Sequence, residues 1–200
     1  MAAAWLFAGG GLAARELMRA EVPALQAFYE ANPEYFLAIN GRPPAADAAA
    51  IEFDERPPAH LSYERQWCLG LFDRAAAGEP LAGIAMVTSN LCLPGVWHLG
   101  LFIVATKRYG SGTAHAAYAA LEDWVKGSGA RHLRLGVVRG NARAERFWQR
   151  QGYVQLRERA GVDTGGRINT VRVMLKPLAG ESAEAYLQAM PRDQPGSTLP

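Results

Sequence analysis

Two adjoining runs decide the fold: Trp97-His98-Leu99-Gly100-Leu101-Phe102-Ile103-Val104 and Tyr109-Gly110-Ser111-Gly112-Thr113-Ala114. The first is an apolar, strand-like run and the second a glycine-bearing loop. Beyond it, Thr113 to Lys126 sets Ala114, Ala117, Tyr118, Leu121, Trp124 and Val125 on one helical stripe. A helix entered from such a loop turns successive backbone N–H groups one way, and its dipole favours an anion there. Glycine lets that anion approach with no Cβ in the way. Lys107 and Arg108 stand beside the loop and can add charge. Neither G-x-x-x-x-G-K-[ST] nor G-x-G-x-x-G occurs, which excludes the P-loop and the dinucleotide fingerprint.

Working outward, His132 to Val138 alternates, with Leu133, Leu135 and Val137 on one face. Asn141 can cap a helix running to about Gln151, with Ala144, Phe147 and Trp148 inward and Gly152 at its end. Tyr153 to Ala160 and Ile168 to Leu175 read as a closing pair of strands. Upstream, Gln66 to Phe72, Leu81 to Thr88 and Trp97 to Val104 are strands joined by connections short enough to make them antiparallel neighbours. Before them come a strand over Leu12 to Met18, a helix over Val22 to Asn32 stopped by Pro33, a loop at Asn40 to Pro44 and a short helix over Asp47 to Phe53. This order predicts an α+β domain: a mixed, mostly antiparallel sheet flanked by helices, with one parallel step across the Thr113 helix. Gly100 reads as a bulge. The domain is expected over residues 12–178, behind an N-terminal extension at 1–11 and ahead of a loose C-terminal tail at 179–200 with one short helix near Ala183 to Met190.

Bulk properties narrow the partners. Half of the 200 residues are apolar, so one sizeable core can form, and a net charge of +2 sets up no strong field. Lys and Arg form no cluster longer than a pair, so nucleic acid is not an expected partner. The apolar start lacks a basic leader and is too short to span a bilayer, so no membrane is expected. Cys68 and Cys92 lack metal-ligand spacing; they read as reduced thiols of a cytoplasmic protein, and no metal is expected.

With both motifs in view, residues Phe102 to Val154 resemble the GNAT superfamily of acetyl-CoA-dependent N-acetyltransferases. The first family motif, Arg/Gln-x-x-Gly-x-Gly/Ala, appears as Tyr109-x-x-Gly112-x-Ala114, with Lys107-x-x-Gly110-x-Gly112 as a second register. The second motif appears as Asn141, Ala144, Phe147-Trp148 and Gly152-Tyr153. The resemblance extends over roughly Leu12 to Leu175 and implies central strands that splay apart. It implies an acetyl-CoA pyrophosphate on Tyr109, Gly110, Ser111, Gly112, Thr113 and Ala114. The pantetheine arm would lie between the splayed strands, bonded by the backbone near Ile103 and Val104 and reached by Asn141, with Phe147 and Trp148 at its end. It implies a primary amine, small-molecule or peptide, as acceptor, gripped by Glu34 and Tyr35 of the Asn32 to Arg42 region. A second copy of the chain, in a homodimer, is the one protein partner entertained.

Two departures bear on mechanism. Tyr109 stands where the family usually has Arg or Gln. Trp148 stands where many members carry the tyrosine that protonates the leaving thiolate, and an indole N–H can only donate a hydrogen bond. That opens the alternative of a non-catalytic acyl-CoA-binding module. An active enzyme must also deprotonate its acceptor: an alkyl amine with a pKa of ~10.4 is neutral in about one molecule in a thousand at pH 7, roughly 4–5 kcal/mol to offset. His98 is the expected base, on the strand where several members place a glutamate, and its ordinary pKa suits the task.

Overall fold

The computed structural model of the chain describes residues 4–199. In chain order the elements are strands β1 (Trp5–Gly9) and β2 (Leu12–Glu16); helices α1 (Val22–Ala31), α2 (Glu34–Asn40) and α3 (Ala48–Asp54); strands β3 (Arg65–Asp73), β4 (Leu81–Ser89) and β5 (Val96–Val104); helix α4 (Thr113–Gly127); strand β6 (His132–Val138); helix α5 (Ala142–Arg150); strands β7 (Val154–Asp163) and β8 (Ile168–Pro177); and helix α6 (Ala183–Ala189). The strands form an eight-stranded sheet in the order β1-β2-β3-β4-β5-β6-β8-β7. Every neighbouring pair is antiparallel except β5 and β6, joined across α4. The expected α+β architecture and its one parallel step are both present.

Each face of the sheet carries its own core. On one, Tyr118, Leu121 and Val125 of α4 and Trp148 of α5 pack against Leu99, Leu133 and Leu135. On the other, Leu25, Phe28 and Tyr29 of α1 cover Ile84, Leu101 and Ile103. Trp67, Trp97 and Trp124 stack and edge against one another within 5.2–5.7 Å, so these tryptophans are core.

The parallel pair is short. β5 and β6 are in register only from Val96↔His132 to Leu99↔Leu135. Beyond that β5 stays paired to β4 as far as Val104, and β6 to β8 as far as Val138, so the two central strands part. The register slip between Met86 and Val87 of β4 leaves Gly100 as the extra residue of a bulge, at the point of divergence.

Three stretches depart from the sequence reading. Part of the expected N-terminal extension is strand β1, which turns into β2 through Gly10 and Gly11, both with positive φ, in a two-residue hairpin. Pro33 and Gly41, read as a helix stop and a loop residue, are the N-cap and left-handed C-cap of α2. The expected loose tail is docked: Tyr186, Met190 and Asp193 are buried, the first two against Val96 and Leu175.

Candidate active site

The glycine loop has the form its sequence suggests. Gly110 and Gly112 take φ of 77° and 81°, a left-handed conformation that side chains disfavour. A Cβ at either position would meet nothing within 4 Å, so the approach to the backbone is open. Gly112 caps α4 with no side-chain hydrogen bond. Among the described residues, the N–H groups of Gly112, Ala114 and His115 find no acceptor, while Thr113 N–H uses Ser111 Oγ at 3.3 Å. Arg108 is committed to Asp73. Lys107 is exposed, and the Arg143 guanidinium lies 3.3 Å from the Tyr109 ring centre. Free amides at the positive end of a 15-residue helix, with two cations nearby, suit a diphosphate.

The gap between β5 and β6 begins at a glycine on each bank. Gly100 and Gly136 follow the last paired residues, and both are exposed. The Ala105 N–H donates to Ala82 O at 2.9 Å, which makes Ala82/Ala105, and two residues on Ile84/Ile103, the hydrogen-bonded pairs of β4 and β5. Phe102 and Val104 therefore turn their backbone groups to the gap, and Ile103, expected there, turns its own toward β4.

A cavity of about 690 Å³ passes through this gap. Asn141, Ala144 and Trp148 line it on the α5 side of the sheet, and Tyr35, Phe36 and Glu52 on the α2–α3 side. Asn141 also caps α5, its Oδ1 accepting from Ala144 N–H at 3.2 Å. Trp148 is buried within a cluster of Phe102, Phe147, Tyr118 and Tyr153. Phe147 stacks on Phe102 behind the wall. Glu34 stands apart from the cavity: its carboxylate accepts from the Thr106 hydroxyl. Tyr35 lines the cavity, with its hydroxyl pushed up by burial and by Glu52 and Glu55.

Tyr118 and Tyr153 pack on Trp148, and neither lines the cavity. The hydroxyls of Tyr118 and Tyr153 bond each other at 3.1 Å in the core, and burial raises both. Tyr109 sits under Arg143. His98 sits in a setting that differs from the one its sequence reading assumes. His98 lines the cavity, but burial and the adjacent Arg134 push its pKa down to about 3. An Arg134 N–H faces His98 Nδ1 at 3.5 Å. Arg134 itself is held by Asp193 through a bidentate contact of 2.6 and 2.9 Å. Burial and Arg134 thus favour the neutral imidazole of His98 over the protonated one, unlike the setting its ordinary pKa assumes.

Glu52 of α3 meets the requirement better. Burial, reinforced by Glu55, pushes its carboxyl up to about 7, and both residues line the cavity. Sequence reading passed over Glu52 because Asp47, Asp54 and Glu55 surround it and make an ordinary solvated acidic segment. Its burial in the fold, close enough to Tyr29, Tyr35 and Cys68 for its charge to reach them, has no local sequence signal. Burial raises all three groups, the Cys68 thiol to about 12, and the Glu52 charge adds to the effect.

A helix start with free amides lies beside a splayed parallel pair, and a channel passes through the sheet between the two strands. The acetyltransferase (GNAT) family model matches residues 24–153, and the chain belongs to that family. It is an acyltransferase of the GNAT type, a family whose acetyl donor is acetyl-CoA. The fold is shared with an acetyltransferase from Thermus thermophilus (22% identity, TM-score 0.62, covering 84% of this chain and 97% of that one). It is also shared with a spermidine N-acetyltransferase from Vibrio cholerae in complex with CoA and spermine (15%, 0.61, 84% and 95%). A third similar structure is a ribosomal-protein-alanine N-acetyltransferase from Brucella melitensis (22%, 0.56, 82% and 99%). No curated protein matches the sequence. Among the described residues, no helix is long and apolar enough to cross a membrane.

Proposed function

We propose that the protein transfers an acetyl group from acetyl-CoA to a primary amine of a small molecule or peptide. The observation that carries this reading is the cavity that passes through the β5–β6 gap and opens to the α2–α3 wall. The free amides of Gly112, Ala114 and His115 hold the pyrophosphate, with Lys107 and Arg143 adding charge. Phe102 and Val104 bond the arm as an added strand would be bonded. Bound acetyl-CoA supplies the activated acyl group as a thioester. Trp148 packs beside that group and keeps water from it. Glu52 takes the proton of the incoming ammonium, and His98, held neutral by Arg134, serves as a hydrogen-bonding wall. No protein acid is needed at the leaving sulfur, because a free thiol with a pKa of ~8.5 departs tolerably as the thiolate.

The test is release of free CoA from acetyl-CoA across a panel of polyamines, amino acids and short peptides, with the acetylated amine identified by mass. Amine-dependent release in step with product is expected. Tight CoA binding with no amine-dependent release from any member of the panel would count against transfer.

A further inference from the structure

The cavity is lined by charges of both signs, and one of them stands without a partner. The α3 wall carries Glu52 and Glu55. Arg42 and Asp163 also line the cavity, but both are engaged with the Gly165–Gly166 turn: Arg42 donates to Gly165 O, and Asp163 Oδ1 accepts from the N–H groups of both glycines. The β6–β7 wall carries Arg134 and Arg159, backed by Arg157 and Arg192. One carboxylate, Asp193, sits among these four guanidinium groups, and it is already spent: its Oδ2 accepts from Arg134 Nε and the Tyr186 hydroxyl, and its Oδ1 from Arg134 at 2.9 Å. Arg157 is occupied by the backbone carbonyls of Ser197 and Leu199, and Arg192 by Cys92 Sγ. Arg159 has no acceptor and no ion pair among the described residues, yet it is half-buried and faces the cavity. Burial and the like charges of Arg192, Arg157 and Arg134 all weigh on it. A cation so placed lacks only an anion, and its planar fork fits a carboxylate through two parallel hydrogen bonds.

We infer that the acceptor is an amino acid or a close analogue, its ammonium group directed to Glu52 and Glu55 and its free carboxylate bound by Arg159. This rests on the transfer reading above and narrows it. A polyamine would set a second cation against the arginine wall, and like charges there are costly. A peptide amine remote from any free carboxylate would leave Arg159 unpaired.

The experiment compares the common L-amino acids with the same compounds as carboxamides. Each amide keeps the amine and loses the anion. In wild type the acids are expected to exceed their amides in kcat/KM by at least about tenfold, the free-energy equivalent of ~1.4 kcal/mol. Arg159→Gln should abolish that preference, while Arg159→Lys retains part of it, since the charge persists without the fork. Acetyl-CoA affinity by calorimetry reports whether each variant keeps its fold. Equal turnover of acids and amides in wild type overturns the inference, as does a preference that survives in Arg159→Gln. Faster turnover of spermidine or other polyamines than of any amino acid overturns it while leaving amine transfer intact. If no amine of any kind is acetylated, the transfer reading falls first and the inference with it.

Discussion

At the scale of single residues, the site turns on how burial redistributes proton affinity. Glu52 is pushed up to about 7 by burial and Glu55, and faces Tyr29, Tyr35 and Cys68 from α1, α2 and β3. A base of that pKa is deprotonated above it, so kcat/KM should rise as pH climbs through about 7. Glu52→Gln should remove this limb and lower turnover by about 10²-fold, measured as a pH–rate profile. The same shift predicts a stability effect of opposite sense. A carboxyl whose folded pKa is raised favours folding below its unfolded pKa and loses that contribution as pH rises through the folded one. Glu52→Gln should therefore melt higher than wild type above pH ~7 and similarly below pH ~4. Trp148→Phe makes a useful contrast. It should change acetyl-CoA affinity but keep the pH limb, because no titrating group is lost. Sequence reading found the cavity residues Tyr35, His98, Asn141 and Trp148, each marked by motif or residue type. It gave His98 an ordinary pKa and passed over Glu52, because a pKa is set by neighbours from other elements. Burial and then Arg134, on the neighbouring strand, lower that of His98, and burial with Glu55 raises that of Glu52.

At the scale of elements, what was legible has local causes. The amphipathic stripe of α4, the alternation of β6 and the Asn141 cap of α5 are short-range patterns, and the structure has all three. The elements missed are those whose signals permit a second meaning. Pro33 ends α1 and also starts α2, and the pair Gly10-Gly11 is loop-like until apolar runs on both sides make it a hairpin turn. The small residues around that turn have a purpose too: a Cβ on Gly9 would meet the Ala116 backbone oxygen at 2.5 Å, so glycine lets β1 lie directly against α4. The start of α4 carries the prediction proper to this scale. Gly112 holds a left-handed conformation over open space, so Gly112→Val strains the loop and places a branched side chain where the phosphates approach. CoA affinity should fall at least about tenfold, or ~1.4 kcal/mol, by calorimetry. An unchanged affinity would move the phosphate site elsewhere.

At the scale of the whole molecule, the sheet joins two cores, and the C-terminal segment adds a third, smaller cluster with Val96 and Leu175 while reaching Arg134 of the cavity through Asp193. Topology was predictable because short connections force antiparallel neighbours and a helical crossover permits one parallel pair. The docking of the tail was not, because it depends on a charge partner 59 residues away: Asp193 meets Arg134, and both are almost wholly buried. Removing one member of such a pair leaves the other as a buried, unpaired charge, a loss of about 3–5 kcal/mol. Asp193→Asn should therefore lower the unfolding free energy by about that amount. The pH dependence separates this from ordinary loss of packing. Burial opposes the charge of Asp193, but the hydrogen bonds from Arg134 outweigh it and hold the carboxyl below its usual range. A depressed carboxyl lends stability above its unfolded pKa of ~4 and loses it as pH falls through the lower folded value. Wild type should therefore show a steeper acid limb than Asp193→Asn in denaturant titrations, the two curves converging toward low pH. Because Arg134 lines the cavity and lowers His98, the same variant should also change kcat/KM, with acetyl-CoA affinity preserved at the distant α4 loop. Parallel acid limbs in the two proteins would mean that the tail is held by the packing of Tyr186 and Met190 and that the ion pair adds little.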